Sequence, residues 1–406
     1  MINITRIYGD RATTGDPLRY GEDGPKDVGH RHHFHGHGRA RTAAERRPVT
    51  VWNVTRRCNL SCVHCYTDSC TKLAPDELTF EEGVRFLEDL AGFQVPAVLF
   101  SGGEPLTRPD LFELAQKAVS FGLRPVLSTN GTLIDRGCAQ RLKDLGFIYV
   151  GISLDGIGET NDRFRGRVGA FDDALRGFRH CRDVGQRVGL RLTLTRRNVL
   201  DLDRIFDFIL DEGIPRACFY HLVYSGRGQG LSDEDLTHED SRRAIDLICR
   251  RTRQAVESGR DLDILTVDNH VDGPYIYLKL LQEDPERAAR VKQMLEWNGG
   301  GAWSTGVGIG DVDWAGNVHP DQFWQDHSFG NIRQRPFSQI WLDTSDPLMA
   351  GLKNRIPLLK GKCANCRFRP MCGGAMRVRA WRVFHDPWMH DPACYLTPEE
   401  CATQEA

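Results

Sequence analysis

The stretch Val49-Thr50-Val51-Trp52-Asn53-Val54-Thr55, followed after two arginines by Cys58-Asn59-Leu60-Ser61-Cys62-Val63-His64-Cys65, sets the reading of this chain. Its first half is β-branched and aromatic and reads as a strand. Its second half spaces three thiols by three and then two residues, a compact soft-ligand claw directly after that strand. Such a claw can hold three irons of a cubane cluster and leave the fourth open for chemistry. Zinc would want four closed ligands.

Outward from the claw the pattern alternates. Strand-like runs recur at Ala97–Ser101, Arg124–Thr129, Phe147–Ser153, Val188–Thr195 and Arg216–Leu222. Amphipathic stretches lie between them at about 79–92, 109–121, 135–145, 171–184 and 201–212. Phe80, Val84, Leu87 and Leu90 keep helical spacing, and Pro109-Asp110 makes a helix start. Strand and helix alternating to six strands imply an α/β fold: a parallel sheet with right-handed crossovers, forming a partial (β/α)6 TIM-like barrel. We expect residues 1–48 to be an irregular extension, 49–228 the barrel, 229–300 a charged helical connection, and 301–406 a small auxiliary domain with short strands. The extension carries five histidines between His30 and His37, read first as a surface tract.

Composition narrows the function classes. The chain has 406 residues, 40% hydrophobic and 27% charged, with a net charge of −2. That balance suits a globular protein and offers no basic field for nucleic acid. No apolar run approaches the ~18 residues needed to span a bilayer, and no signal-peptide core opens the sequence. A cytoplasmic location follows as the expectation. There the thirteen cysteines point to metal rather than disulfides. Six of them, Cys70, Cys138, Cys181, Cys218, Cys249 and Cys401, read as small buried hydrophobes, with Cys70 and Cys401 closest to the clustered ones.

Barrel sites form at the C-terminal ends of strands. Ser101-Gly102-Gly103-Glu104-Pro105 ends strand two, Ser128-Thr129-Asn130-Gly131 strand three, and Ser153-Leu154-Asp155-Gly156 strand four. Arg191 lies in strand five, and His221 and Ser225-Gly226-Arg227-Gly228 end strand six. Each is weak alone; together they line one rim.

The claw and Gly102-Gly103-Glu104-Pro105 resemble the two signature motifs of the radical S-adenosylmethionine (SAM) enzymes. The resemblance implies that Cys58, Cys62 and Cys65 bind a [4Fe–4S] cluster whose open iron is chelated by the amino and carboxylate groups of SAM. It further implies that Gly102, Gly103 and Glu104 bind the methionine amino end. Ser153 and Asp155 would approach the ribose or carboxylate, Asn130 would line the pocket, and Arg191 would join this set. His64 stands where the family often has an aromatic residue.

A second group comprises Cys363, Cys366, Cys372 and Cys394. By spacing it suits a closed four-iron cluster or a zinc ribbon. Beside a redox cluster, an auxiliary [4Fe–4S] cluster is favoured. The arrangement resembles the SPASM or twitch extension of some radical SAM enzymes, with one auxiliary cluster.

Several stretches resemble the didecarboxysiroheme deacetylase branch of that family: Gly15-Asp16-Pro17-Leu18-Arg19-Tyr20-Gly21, Phe219-Tyr220-His221-Leu222-Val223-Tyr224, Thr266-Val267-Asp268-Asn269-His270, Asp321-Gln322-Phe323-Trp324 and Asp391-Pro392-Ala393-Cys394-Tyr395-Leu396. That branch implies removal of two acetate side chains from an iron tetrapyrrole, giving Fe-coproporphyrin III for haem synthesis. SAM cleavage would yield a 5′-deoxyadenosyl radical, and a ferredoxin- or flavodoxin-type donor would supply electrons. The related NirJ-type branch, which acts on propionates toward haem d1, is the alternative. A peptide maturase would need a recognition domain longer than residues 1–48, and an electron carrier would not need the glycine loops. Arg191 and Arg227 are candidate clamps for substrate carboxylates, and His221, His270 and His319 candidate axial ligands. Trp303, Trp314 and Trp324 read as core.

Overall fold

The computed structural model describes residues 1–20, 42–43 and 45–402, so the histidine tract at 30–37 lies outside the described residues. Strand β1 (Ile2–Asn3) opens the chain. The six expected strands follow as β2 (Val49–Asn53), β3 (Val98–Ser101), β4 (Pro125–Thr129), β5 (Tyr149–Ser153), β6 (Val188–Leu194) and β7 (Arg216–His221). They pair in sequence order, all parallel, with Asn53 beside Ser101 and Ser153 beside Arg191. The five expected helices fill the crossovers at Phe80–Gly92, Leu111–Ser120, Arg136–Asp144, Ala170–Asp183 and Leu202–Asp211. Thr79 starts the first of them with a capping box to Glu82.

The sheet is wider than six strands. β8 (Asp263–Val267) adds in parallel beside β7, and β9 (Ile309–Val312) adds in parallel beside β2. β1 pairs antiparallel on β8, and β10 (Val318–His319) antiparallel on β9. Among the described residues the ten strands run β1-β8-β7-β6-β5-β4-β3-β2-β9-β10, an open sheet with different strands at its two edges. The helical reading of 229–300 therefore needs correction. Helices His238–Glu257, Asp272–Glu283 and Pro285–Asn298 are present, but Ile264-Leu265-Thr266-Val267 is a β-branched run too short for a helix and enters the sheet. The start of the chain is likewise integral, since Ile2, Ile4 and Ile7 are buried.

Side-chain alternation divides the sheet into two faces. Leu127, Val150, Ile152, Leu190 and Leu192 are buried toward the helices, where Phe206 stacks on Phe219 at 5.4 Å. The opposite face is polar and only partly covered at Ser128, Ser153, Arg191, Thr193 and Tyr220. That face is an accessible lumen, and the strand ends carrying the motifs open onto its rim. Among the described residues, no helix is long and apolar enough to cross a membrane.

Candidate active site

The claw leaves the end of β2 and is fastened on every side. The Gly103 and Glu104 amides donate to the carbonyls of Thr55 and Arg57, both at 2.8 Å. A Cβ on Gly103 would stand 2.2 Å from the Arg57 carbonyl oxygen, so only glycine lets the two loops lie this close. Arg227 donates from Nε to the Cys62 carbonyl at 2.8 Å and from Nη1 to the Ser69 carbonyl at 2.8 Å, and its amide donates to the Cys65 carbonyl. Arg227 thus braces the claw loop, while its Nη2 has no hydrogen-bond partner. Below the claw, Tyr66 Oη donates to Asn53 Oδ1 at 3.0 Å and lies 2.7 Å from Ser101 Oγ. Asn53 Nδ2 donates to buried Asp311 at 2.9 Å, a carboxyl that burial raises well above its usual range.

The three thiols suit an iron–sulfur cluster by their surroundings. Leu60 N–H donates to Cys58 Sγ at 3.4 Å, Arg165 Nη1 to Cys62 Sγ at 3.6 Å, and Ser69 N–H to Cys65 Sγ at 3.5 Å. Donors aimed at sulfur stabilise thiolate ligands and tune what they bind. Burial pushes the Cys58 thiol up to about 12, a preference that bound iron would reverse by supplying positive charge. Among the described residues, no three His, Cys, Asp or Glu side chains converge on a single-ion site.

Asp155 is the hub beside this claw. Fully buried, it forms an ion pair with Arg165, lies 3.2 Å from His64 Nε2, and accepts from the Thr193 amide at 2.7 Å. Burial would raise its carboxyl, but Arg165 and His64 outweigh burial and hold it below the usual carboxylate range. Asp155 thus positions two residues that themselves approach the claw. His64 also packs edge-on against Phe164 at 5.5 Å.

Glu104 is likewise held within the protein. It is fully buried and accepts from the Leu106 amide at 3.1 Å, Thr129 Oγ1 at 2.8 Å and the Asn130 amide at 2.8 Å. It therefore ties the glycine loop to the end of β4. Asn130, so positioned, donates from Nδ2 to Asn59 Oδ1 at 2.8 Å, with Cys58 Sγ 3.9 Å away. Burial lifts Glu104 to about 6 from an ordinary 4.5. Its contribution to stability is then full below pH 4.5 and is lost as pH rises through 6. In Glu104→Gln an amide donor meets a donated N–H, which costs about 1–3 kcal/mol. Thermal denaturation should show the variant less stable, with the gap to the parent narrowing as pH rises from 4.5 past 6.

Deeper in the lumen, Arg191 Nη1 donates to Ser128 Oγ at 2.6 Å, while its Nε has no hydrogen-bond partner. Its guanidinium lies over Gly151, where a Cβ would come within 2.4 Å. Ser153 faces the same side. Gly102, Gly103, Asn130, Ser153 and Arg191 thus share one mouth with the claw.

Each histidine expected as an axial ligand has at least one ring nitrogen engaged within the protein, while His270 Nδ1 is buried without a partner. His221 lies 3.1 Å from Asp272, His319 Nδ1 is 2.8 Å from the His327 carbonyl, and His270 Nε2 is 3.2 Å from the Met1 amino group. Burial works against charge on His221, but Asp272 outweighs it and raises the imidazole above 6.5. The charged pair therefore stabilises the fold below that pH and is lost as pH rises through the folded value. The difference in Tm between parent and His221→Gln should shrink between pH 6 and pH 9. Trp324 is core, packed with Val223, Leu352 and Met376; Trp303 and Trp314 lie under Arg46 and Arg56.

Cys363, Cys366, Cys372 and Cys394 line one cavity, and Cys401, expected as a scattered hydrophobe, lines it too. Beside it Arg377 is fully buried and donates to the Pro387 and Met389 carbonyls, leaving Nε and Nη2 without partners. An unpaired buried cation next to a thiol cage suits a group that brings negative charge. The cavity abuts the barrel rim. Arg379, paired with Asp391, donates to the carbonyls of Leu222 and Asp268 at the ends of β7 and β8. Arg165, Tyr66, Asp311 and Cys401 escaped the sequence reading. Only Cys401, by its nearness to Cys394, carried a signal.

Three comparisons bear on this geometry. Residues 52–209 match the family model of the radical SAM superfamily. The chain is 54% identical to Fe-coproporphyrin III synthase of Methanosarcina barkeri, covering 100% of both chains. It is 44% identical to pre-heme d1 synthase of Dinoroseobacter shibae, over 88% of each. The fold is that of Streptococcus suis SuiB, with a TM-score of 0.66 at 18% identity, covering 86% of this chain and 78% of that one.

Proposed function

The chain belongs to the radical SAM superfamily, and from that premise we propose that it removes the two acetate side chains of 12,18-didecarboxysiroheme to give Fe-coproporphyrin III. The full-length likeness to Fe-coproporphyrin III synthase carries this reading. Bound at the claw, a [4Fe–4S] cluster and SAM supply one-electron chemistry able to open a carbon–hydrogen bond.

The residues divide the remaining work. Cys58, Cys62 and Cys65 hold the cluster, and the glycine loop and Asn130 shape the mouth for SAM. Arg165, held by Asp155, keeps positive charge beside Cys62. Arg191, partly exposed in the lumen with a free Nε, offers a guanidinium to a carboxylate of the tetrapyrrole. The sheet and the C-terminal region enclose the lumen and limit water at the reacting carbon. The second thiol cage takes an auxiliary [4Fe–4S] cluster, supported by its free thiols and by Arg377. A ferredoxin- or flavodoxin-type protein delivers electrons. Thirteen free cysteines fit the reducing cytoplasm.

Anaerobic turnover with didecarboxysiroheme, SAM and a reductant, read by mass spectrometry, tests the proposal. Fe-coproporphyrin III is expected. A product that keeps both acetates rules the reading out, and loss of propionates instead favours the second reading, a pre-heme d1 type activity, which the 44% identity supports.

A further inference from the structure

Charge is unevenly spread along this chain. Its net charge is −2, yet Pro347 to His385 holds nine lysines and arginines and no aspartate or glutamate. Arg355, Arg377 and Arg379 are buried, whereas Lys360, Lys362, Arg367 and Arg369 reach the surface around the loop that carries Cys363 and Cys366. Lys362 and Arg369 line the thiol cavity itself. Asp386 and Glu400, carboxylates at the edge of this region, already pair with Lys360 and Arg242. Among the described residues, Lys362, Arg367 and Arg369 have no carboxylate partner; Lys362 and Arg367 donate instead to the backbone carbonyls of Cys394 and Glu400. Glu399, exposed beside Glu400, offsets part of their charge. An apolar patch adjoins the same loop. Leu358, Val383 and Phe384 are 39%, 46% and 37% exposed. Phe384 packs on His390 with ring centres 4.9 Å apart, and a Cβ on Gly361 would come within 2.6 Å of His390 Nδ1. The Lys360 amide donates to the Trp388 carbonyl at 2.8 Å. The cysteine loop and the apolar patch are therefore one continuous surface. Apolar residues exposed singly are ordinary, whereas a group of them rimmed by polar residues marks a contact surface.

We propose that this surface, with Lys362, Arg367 and Arg369 beside Val383 and Phe384, docks a small acidic one-electron carrier protein of the ferredoxin type. This rests on the auxiliary-cluster reading above and names where the electron donor of that reading arrives. Cys363 and Cys366 are only half-buried, whereas Cys58 and Cys62 are buried at the mouth of the lumen. A carrier seated on the cysteine loop thus has the second cage directly beneath it. One electron leaves the carrier, which is oxidised, for the group held in the cage, which is reduced; no bond is made or broken. Unpaired cations attract an anionic partner and fix its orientation, and the apolar residues supply contact area. Interfaces of this kind are small and weak, which lets the carrier leave after each electron.

The test titrates the full, iron-loaded chain anaerobically with a two-cluster ferredoxin of strongly negative net charge, by calorimetry at low and at physiological ionic strength. Arg369→Gln combined with Phe384→Ser is expected to weaken the Kd about tenfold. Phe384→Leu, which keeps the apolar contact, should bind as the parent does. So should Arg85→Gln, which removes one charge from the exposed side of the helix Phe80–Gly92. The affinity of the parent should fall as salt rises, and less steeply in Arg369→Gln. Unaltered affinity in the double variant, an equal loss in Arg85→Gln, or indifference to salt would overturn the proposal. A parent that sediments as a dimer while the double variant does not would overturn it too, making the face a contact between copies of this chain. Iron analysis separates the dock from the reading beneath it. The chain with Cys58, Cys62 and Cys65 replaced by Ala should hold about four irons. Their absence would overturn the auxiliary-cluster reading and the dock with it, whereas retained iron with unaltered affinity in the double variant would overturn the dock alone.

Discussion

Replacing Cys58, Cys62 and Cys65 together by Ala is expected to reduce 5′-deoxyadenosine formation to background and to lower iron from about eight to about four atoms per chain. The size of the effect follows from how little else can serve. Every other cysteine lies outside the claw, and Asn130, the glycine loop and Arg165 frame the thiols without replacing them. The loop itself should keep its course. Its backbone is held by Gly103, Glu104 and Arg227, none of which depends on the thiol sulfurs. Circular dichroism should therefore stay parent-like while chromatography finds no SAM-derived nucleoside. Retention of all the iron, or continued nucleoside release, would contradict the assignment of the claw.

The second large effect is expected at Asp155→Asn. Asp155 is the counter-charge of buried Arg165 and the partner of His64. Asparagine keeps the shape but removes the charge, leaving a buried guanidinium uncompensated, at a cost of about 3–5 kcal/mol. The carboxyl is held below its ordinary value of 3.8, so its contribution is complete above that pH and is lost only as pH falls through the lower, folded value. The full penalty should therefore be visible at pH 7, and raising the pH should not relieve it. Thermal denaturation measures the loss of stability. The EPR signal of the reduced claw cluster, with and without added SAM, reports whether Arg165 has moved relative to Cys62. A Tm matching that of the parent would mean that the Asp155–Arg165 pair carries no such weight.

Much of the fold was legible because its signals are local. Six β-branched runs and five amphipathic stretches follow periodicities of two and 3.6, and each formed the expected element within a few residues. The claw was legible for the same reason, since three thiols within eight residues need no tertiary context to be brought together. β8 and β9 were harder to read. Each is a run of four or five residues whose strand state is decided by pairing with β7 and β2, distant in sequence.

The roles of individual side chains divide along the same line. Glu104, Asp155 and Arg227 stand in the expected motifs, and each also supports its neighbours: the two buried carboxylates accept from surrounding donors, and Arg227 donates to the carbonyls of the claw loop. Arg165 carries no motif and becomes important only because Gly158 to Gly166 folds back onto the claw, where the Ser61 and Val63 amides bond to the carbonyls of Arg165 and Phe164. Sequence alone determined the order of the six central strands and their crossover helices, the claw and the family, because backbone periodicity and short ligand spacings are properties of neighbouring residues. Tertiary structure decided which charged groups are spent inside the protein and which remain for a ligand. The free energy of a buried charge depends on partners and dielectric that exist only once distant segments have packed.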